Sequence, residues 1–586
     1  MANHYVDSAA SGGEDGSIST PWNTLAQVNA HSFSPDDAIL LKCGSLFRES
    51  LVIGQAGTEG HPITYGSYDS GALPIICGAD LYGSGSWSVH SGNVWKATAN
   101  AWDSILVLLG GEYGYPEATL DALDTNGDYY WESNTVYVYS SGGNPATVWG
   151  TVEIAARARG IWTNDVANKD WITLEDIRLY GFGMYYGWTG YCLHPWQSSH
   201  WTITGLTCDK SAAFGLSSSG SNYIDLSYCT MTGFANTLQE WGQTGIRITR
   251  DTIGVTVTHN HIHHNTIQYY ANSGISIGGY SDYLYSAEYN EIDHNDVSHC
   301  CSGIYPGKAN HTLVHHNTCD DNLQRRVYGE EYGLALETGS DNEWYNNIVT
   351  NGRVGIELWG YETDEIPAFE GCGPVDRNKV YNNFFSGNSI DAIHIYEGCS
   401  DDSKIYNNII VNNHGGIFIN EHNTTGTGNV VYNNTLYNNV TDYPNLYLGM
   451  ALAGWTFRNN ISYSLTDYCL RSPNAITQAV HDHNLYYRAS GNVIQNYTTD
   501  YTLAQVTTFE ATAVASDPLF VNGSGTLTEP TDFAIPSNSP AKNAGAVINF
   551  GEDYWGNKRS TDPDIGAHEY VTPSATVQEG ATIQVS

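Results

Sequence analysis

The feature that most constrains this chain is an asparagine that closes a similar short phrase once in every 22 to 36 residues. The phrases read HHN, DHN, YNN or RNN and end at Asn265, Asn295, Asn317, Asn347, Asn383, Asn408, Asn434 and Asn460. A repeat of this length cannot bury its own apolar side, so successive repeats must stack into a solenoid. We expect the asparagine side chains to stack in the turns and to hydrogen-bond one another along the axis.

A second phrase lies between the asparagines and consists of a small residue followed by alternating apolar residues. It reads Gly245-Ile-Arg-Ile, Gly274-Ile-Ser-Ile, Gly303-Ile-Tyr, Gly333-Leu-Ala-Leu, Gly355-Ile-Glu-Leu, Ala392-Ile-His-Ile and Gly416-Ile-Phe-Ile. Alternation of this kind predicts short strands with one face buried. The 61 glycines fit the many tight turns that such strands require. We therefore predict an all-β fold, a parallel β-helix whose outward side chains form rows on a flat face.

Departures from the repeat predict the domain organisation. We expect an N-terminal cap and first coils at 1–80, an inserted β-hairpin region at 81–165, the β-helix with its groove at 166–500, a C-terminal cap at 501–570, and a linker or tail at 571–586. A helical segment near Pro21–Ala30 would close the first coil. Caps are expected because an exposed coil edge invites aggregation.

The net charge of −39, with only 23 lysines and arginines, argues against nucleic acid as a partner, since nucleic acids bind basic surfaces. No apolar stretch is long enough to predict a membrane span. The acidity also disfavours a strongly anionic substrate, although a local basic pocket could still bind one. The 42 tyrosines and 16 tryptophans favour a polysaccharide or oligosaccharide, because aromatic rings stack on the apolar faces of sugars. We expect a monomer.

The opening segment, the Asn-Asn coils and the ending Asp564-Ile-Gly-Ala-His-Glu-Tyr resemble secreted bacterial right-handed parallel β-helix proteins of the pectate-lyase-like superfamily. The resemblance spans residues 5–570. It implies a right-handed solenoid and a secreted carbohydrate-active protein. Because no signal peptide precedes Tyr5, we expect a form from which the leader has been removed. The superfamily contains lyases, hydrolases, epimerases and phage adhesins, so the fold alone does not determine the reaction.

Glu337 and Glu357 are the predicted catalytic pair. They face outward on consecutive coils, and the strand spacing places their backbones about 8 Å apart. That distance lies within the roughly 6.5–9.5 Å that separates the carboxylates of inverting glycosidases. One carboxyl would act as the acid and the other as base or nucleophile. The alternative is that both are ordinary solvated residues.

The phrase Gly333-Leu-Ala-Leu-Glu337 resembles the strand that carries the acidic nucleophile in β-helical β-xylosidases. In those proteins the following coil has an acid at the place where Trp359 stands here.

Eight residues near this pair are predicted to bind substrate. His394 follows Glu357 on the next coil, and three aromatic side chains could form subsites. The full set is His394, Trp359, Tyr361, Tyr396, Glu397, Lys308, Arg326 and Tyr305.

Two other function classes stay open. A lyase or epimerase acting on uronic-acid polymers would need a base and a cation, and Lys308, Arg325 and Arg326 lie one coil before Glu337. Salt bridges to neighbouring acids would explain the same arginines. A non-catalytic carbohydrate-binding module or adhesin is the other class.

No cofactor is required by any of these readings. The histidines of the phrases that contain His261, His263, His264, His294, His315 and His316 are interpreted as a turn stack rather than a metal site. Asp124-Thr-Asn-Gly-Asp128 resembles part of a calcium loop, but its glycine comes too early and a hairpin turn is the better interpretation. Calcium as a structural ion stays open. Cys372 and Cys399, about one coil apart, could form a disulfide.

Overall fold

In the described residues, successive coils contribute strands to three long sheets that run side by side. A computed structural model describes residues 2–11, 15–99, 106–183, 190–234, 243–249, 256–278, 287–323, 331–360, 375–396, 401–420, 427–439, 444–449, 454–476, 479–523, 527–548 and 551–572. The strands of the coils pair in parallel, and the fold is a right-handed parallel β-helix, as the repeat predicted.

We name the three sheets A, B and C. In the described residues sheet A contains Asn3–Val6, Ala38–Lys42, Ile63–Tyr68, Ile172–Glu175, Trp201–Thr204, Ile224–Ser227, His261–His263, Glu291–Asp293, Leu313–His315, Glu343–Tyr345, Lys379–Tyr381, Lys404–Tyr406, Asn429–Tyr432, Trp455–Arg458 and Val480–Asp482. Sheet B contains Leu51–Val52, Arg159–Trp162, Tyr191–His194, Phe214–Ser219, Ile246–Thr249, Ser273–Gly278, Ser302–Gly307, Tyr332–Glu337, Val354–Trp359, Asp391–Tyr396, Gly415–Asn420, Leu446–Leu448, Leu470–Ser472, Asn492–Asn496 and the antiparallel Thr499–Thr502.

Sheet C contains Leu46–Phe47, Ile75–Cys77, Arg178–Tyr180, Thr207–Asp209, Thr230–Thr232, Thr266–Gln268, Asp296–Ser298, Thr318–Asp320, Ile348–Thr350, Phe384–Ser386, Ile409–Val411, Thr435–Tyr437, Ile461–Tyr463 and Leu485–Tyr487. A short ladder of Val257–Thr258, Ala287–Glu288 and Ala309–Asn310 lies beside them.

The core is a set of apolar stacks, because the same inward position recurs on every coil. In sheet B, Ile304 pairs with Leu334, Leu334 with Ile356, and Ile356 with Ile393, and all four side chains are fully buried. Alternation along each strand then places the residues between them on the outer face. The register of the core therefore fixes the rows of outward side chains.

The asparagine ladder predicted from the repeat is confirmed. From Asn265 to Asn484, each side-chain amide donates to the Oδ1 of the corresponding asparagine on the next coil at 2.9–3.1 Å. The last asparagine donates to the carboxylate of Glu510, which closes the ladder. The residue before each ladder asparagine has a positive φ, for example 54° at Asn346, and asparagine and histidine tolerate that conformation better than most residues.

Separate segments cover the two ends of the core. The helix Leu25–Ala30 has a capping box at Thr24 and buries Leu25 and Val28 against the first coils. At the other end, the 3₁₀ turn Leu503–Gln505 leads into the helix Val506–Phe509, which buries Val506 against the last coils. Residues 520–523, 527–548 and 551–567, which include the 3₁₀ turn Pro530–Phe533, pack along the outer face of sheet C.

Between the first coils lies a region of short strands with a core of its own, and its strand pairs are antiparallel except for Tyr115–Pro116 beside Asp128–Glu132. One sheet is formed by Glu112–Tyr113, Val107–Leu109, Val152–Ala155 and Ala79–Leu81, and the other by Tyr115–Pro116, Asp128–Glu132, Thr135–Tyr139, Val94–Thr98 and Ser88–Ser91. The helix Pro145–Val148 and the 3₁₀ turns Ser84–Ser86 and Leu120–Ala122 connect them. The Asp128 carboxylate accepts the backbone N–H groups of Asp124 and Thr125, so this phrase is a hydrogen-bonded turn.

Most described cysteines are buried thiols, and Cys208, Cys229, Cys300 and Cys319 face the core of the coils. Cys372 and Cys399 lie outside the described residues. Among the residues that the structure describes, no helix combines the length and the hydrophobicity that a bilayer crossing demands.

We predict that Asn347→Ala lowers the free energy of unfolding by roughly 3 kcal/mol. The Asn347 side-chain amide donates hydrogen bonds to the Val314 carbonyl and to Asn383 Oδ1, and Asn347 Oδ1 accepts one from the Asn317 N–H. Its loss would leave buried groups on three coils unsatisfied. Thermal and denaturant unfolding would measure the change. The matched control is Asn346→Gly, which keeps the positive φ and loses one exposed contact to His316. Equal effects from the two substitutions would contradict the role of the ladder.

Candidate active site

The predicted catalytic pair lies on the outer face of sheet B, on the strands Tyr332–Glu337 and Val354–Trp359. Ala335 pairs with Glu357, and Glu337 pairs with Trp359. Leu336 and Leu358 point into the core and are buried, so their neighbours Glu337 and Glu357 point outward. The two carboxylates thus stand on adjacent strands, two residues apart along the strand direction.

Glu337 is held from the preceding coil. The hydroxyl group of Tyr305, on the strand Ser302–Gly307, donates a hydrogen bond to Glu337 Oε2. Gly307 pairs with Glu337, and the Lys308 N–H donates to the Glu337 carbonyl at 2.8 Å. Lys308 as a whole is only 6% exposed. Tyr305 therefore touches the predicted catalytic carboxylate directly, whereas the described contact of Lys308 is made by its backbone.

Glu357 lies deeper than its outward direction suggests, since only 8% of the residue is exposed. In register with it on the next strand is His394. The His394 ring packs against Phe418 of the following coil, with ring centroids 4.5 Å apart. The outer face is thus shielded at this point, and the charges of the site lie in a medium of low polarity.

Asp391, at the start of the strand Asp391–Tyr396, is a site residue that the sequence reasoning missed. It is 1% exposed, and its Oδ2 lies 3.3 Å from His394 Nδ1. Neither carboxyl oxygen has a hydrogen bond of good geometry within the described residues. A buried carboxyl in this condition is costly unless it is protonated, and such groups concentrate at functional sites.

The electrostatics of this group have identifiable causes. Burial, together with the negative charge of Glu357, raises the pKa of Asp391 to about 8, against the opposing effect of Arg353. Burial and the positive charge of Arg353 lower the pKa of His394 to about 4. At neutral pH the contact between Asp391 and His394 therefore joins a protonated acid to a neutral imidazole, although its distance alone would fit an ion pair. Arg353 itself approaches Glu331, with Nε 3.9 Å from Oε2.

A signal for Asp391 was present in the sequence. It stands immediately before the small residue that opens the strand phrase, and on other coils that place holds Ser273, Ser302, Tyr332, Val354 and Gly415. An acid at this place is the exception among these coils. The rows of outward side chains could not identify Asp391, because the alternation along the strand predicts that the side chain at this position points toward the core.

The other predicted substrate-binding residues divide into two groups. Trp359 is half-buried on the outer face and pairs with Tyr396, of which only the backbone is described. Tyr361, Glu397 and Arg326 lie outside the described residues, as does Arg325. The structure thus brings Glu337, Glu357, His394, Trp359 and Tyr305 onto one face.

Many of the abundant aromatic side chains stack on one another. Tyr345, Tyr381, Tyr406 and Tyr432 form a row on the outer face of sheet A, with centroids 4.8–5.3 Å apart and nearly parallel planes. The turn residues His264, His294 and His316 stack in the same way at 4.7 and 4.9 Å. Ring faces engaged in such stacks are closed to a sugar, so part of the aromatic content serves the fold.

Comparisons with known proteins agree with the architecture. Residues 191–367 match the family model described as the right handed beta helix region. A search of curated protein sequences found no match. Among solved structures, the complex of XylC with xylose is similar, with 14% identity over 97% of this chain and 98% of that chain and a TM-score of 0.49.

Two further solved structures are more distant. GH136 lacto-N-biosidase from Eubacterium ramulus is 14% identical over 84% of this chain and 68% of its own, with a TM-score of 0.38. An alginate lyase from Paenibacillus sp. is 14% identical over 68% of this chain and 94% of its own, with a TM-score of 0.35. Similarity at this level carries no information on activity.

The raised pKa of Asp391 predicts a pH-dependent stability difference between the protein and its Asp391→Asn variant. The folded state holds the Asp391 proton up to about pH 8, whereas the unfolded chain releases it near pH 4. The stability that this proton contributes is complete below pH 4 and is lost as the pH rises through 8. The free energy of unfolding of the variant, relative to that of the wild type, should therefore increase as the pH rises from 4 to 8, by about 5 kcal/mol at most. Denaturant unfolding at stepped pH measures this difference.

Asp341→Asn is the control of opposite sign. A hydrogen bond from Arg377 lowers the pKa of Asp341, so its contribution is present above the usual pKa of an aspartate and is lost as the pH falls. This variant should differ from wild type at neutral pH and converge with it in acid. A pH-independent difference for Asp391→Asn would contradict a protonated Asp391.

Proposed function

We propose that the protein is a polysaccharide-degrading enzyme, a glycoside hydrolase that uses Glu337 and Glu357 as its two carboxylates. The observation that carries the proposal is their placement on the outer face of adjacent strands, with Tyr305 bonded to one and Asp391 and His394 beside the other. Hydrolysis of a glycosidic bond needs one acid and one base or nucleophile on opposite sides of the sugar.

Glu337 is suited to act as base or nucleophile. It is more exposed than Glu357, and the Tyr305 hydroxyl donates to its carboxylate, which favours the ionised form. An ionised carboxylate can activate a water molecule or attack the sugar. A strand spacing of about 4.8 Å and a two-residue offset of about 6.8 Å separate the two backbones by about 8 Å, and the lean of the side chains then sets either the inverting or the retaining separation of the carboxyl groups.

Glu357 is suited to act as the acid. Its carboxyl lies in a shielded part of the outer face, next to a second carboxyl that is protonated at neutral pH. Burial disfavours the ionised form of a carboxyl, so Glu357, the more buried of the two glutamates, takes the role of the acid that protonates the leaving oxygen. Asp391 is too deeply buried to touch a sugar and acts as a positioning residue. Neutral His394 can bond a sugar hydroxyl or orient Glu357.

A neutral or weakly charged glycan is the proposed substrate, and an extracellular monomer is the proposed form. A lyase or epimerase would need a cation and a base beside a uronate. Within the described residues, Lys308 is buried and Arg353 approaches Glu331. Arg325 and Arg326, the other cations predicted for elimination, lie outside the described residues, and the nature of the product distinguishes the two reactions.

We expect Glu337→Gln and Glu357→Gln each to lower kcat by about 10²–10⁴-fold, since each removes a proton-transfer group. Purified protein would first be screened against a polysaccharide panel, with reducing ends and absorbance near 235 nm scored together. The control is Glu343→Gln, an outward acid of sheet A that bonds Lys379 and Tyr381 and should keep full activity. Circular dichroism and the Tm would confirm that each variant folds.

Three results would overturn the assignment. Near-normal rates in both glutamine variants would show that the site lies elsewhere. An unsaturated product absorbing near 235 nm would identify a lyase. Glycan binding without any release of reducing ends would identify a binding module or adhesin.

Trp359→Ala should raise KM more than it lowers kcat, because the ring lies beside Glu337 on the outer face and can stack on a sugar without taking part in proton transfer. Michaelis curves and direct binding of the substrate to the inactive Glu337→Gln background separate the two effects. Trp359→Phe, which keeps an aromatic face, should recover most of the affinity. Unchanged affinity in the alanine variant would remove the ring from the groove.

A further inference from the structure

A cluster of histidines and carboxylates lies on the outer face of sheet A, away from the proposed active site on sheet B. The strands are His261–His263 and Glu291–Asp293, and His261 pairs with Glu291 while His263 pairs with Asp293. Ile262 and Ile292 point inward and are fully buried. The side chains on either side of them therefore share the outer face of two successive coils.

Three of these residues converge. His261 Nε2 lies 2.6 Å from Asp293 Oδ1, and His261, Glu291 and Asp293 each offer a ligand atom within 4.8 Å of the other two. We infer that these three side chains bind one divalent transition-metal ion of the zinc class and so clamp two successive coils together. The sequence pattern had favoured a turn stack for these histidines. Stacking does occur at the turn residues, but His261 lies on the strand and not in the turn.

Both carboxylates are oriented by outer partners, as metal ligands generally are. Asp293 turns Oδ1 toward His261, while its Oδ2 lies 2.5 Å from His294 Nδ1. His315 Nε2 lies 3.0 Å from Glu291 Oε1 and fixes that side chain from the next coil. The Asp293 side chain is only 8% exposed. These contacts hold the ligand oxygens in place before an ion arrives.

The electrostatics favour a cation at this point. The carboxylates of Glu291 and Asp293 both face the point at which His261 converges with them. The net charge of −39 adds a general attraction for cations.

The orientation of the imidazole rings favours the triplet His261, Glu291 and Asp293 over two neighbouring triplets. Two neighbouring triplets, Asp225–His261–His263 and His264–Asp293–His294, each contain a pair of stacked imidazoles. A ligated ion lies in the plane of each ring, so two parallel rings cannot both address one ion without rotating. His261 with two carboxylates has no such conflict.

Zinc binds its nitrogen and oxygen ligands at about 2.0–2.2 Å, which places the ligand atoms roughly 3.3 Å from one another. His261 Nε2 and Asp293 Oδ1, which are 2.6 Å apart, must therefore move apart by less than about 1 Å when the ion binds. The imidazole favours zinc, copper, nickel or cobalt, since calcium and magnesium prefer oxygen ligands alone. A water molecule would complete the tetrahedron.

The test is metal binding by the whole purified chain after treatment with a chelator and dialysis. Titration with Zn²⁺ alone, followed calorimetrically, and elemental analysis should give one tightly bound ion per chain, and Co²⁺ should give visible d–d absorption. We expect Asp293→Asn and Glu291→Gln each to weaken Zn²⁺ binding at least tenfold and to abolish the increase in Tm that Zn²⁺ causes. The matched control is Asp321→Asn, a carboxylate that meets the single ring of His299 at 3.3 Å and should bind Zn²⁺ as wild type does.

Failure to bind Zn²⁺ with a defined stoichiometry would overturn the inference. So would equal affinity in the wild type and the Glu291→Gln variant, because that result would assign the ion to other surface histidines. If Asp293→Asn does not fold, Glu291→Gln decides the question, since the Glu291 side chain is 43% exposed and its loss leaves the core intact.

Discussion

The rest of the structure depends on coils that stack in strict register, and the asparagine ladder is the interaction that enforces it. Each ladder amide bonds the next coil and a backbone carbonyl of the previous one, so a coil displaced by one residue would leave buried polar groups unpaired. The apolar stacks inside depend on the same register. A one-residue slip would carry Leu334 and Ile356 out of the core and the outward acids into it.

The strand register brings residues that are distant in the sequence side by side on the outer face of a sheet. Residues 20 or more positions apart, such as Glu337 and Glu357, become neighbours because each has the same place on its coil or a place two residues away. The same rule creates the His–carboxylate cluster on sheet A and the tyrosine row beyond it. On sheet B the outer face is shielded, and there the pKa values of Asp391 and His394 shift in opposite directions so that both are neutral. One scaffold thus supports a cluster of histidines and carboxylates on sheet A and, on sheet B, an Asp391–His394 contact in which both groups are neutral.

The fold could be predicted because its signals are periodic and local. The asparagine phrase, the apolar alternation and the helix near Leu25 each reflect a hydrogen-bonding or burial requirement that a single coil already shows. The facing positions of Glu337, Glu357 and His394 follow from the same counting. Asp391 could not be found in this way, since its importance comes from burial and from the charge of Glu357, which belong to no single strand. Aromatic composition suggested a sugar partner, whereas the structure shows many rings stacked on one another.

The sequence by itself determined the solenoid, its direction of alternation and the rows in which outward residues stand, because these depend on contacts that repeat with every coil. Only the tertiary structure decided which members of the rows are buried, which carboxyl keeps its proton and which histidines meet a carboxylate. The physical reason is that burial and electrostatic coupling depend on the surroundings in three dimensions, and identical phrases on different coils have different surroundings. Asp391 and Asp293 show this contrast, since the first is buried beside a negative charge and the second between two histidines.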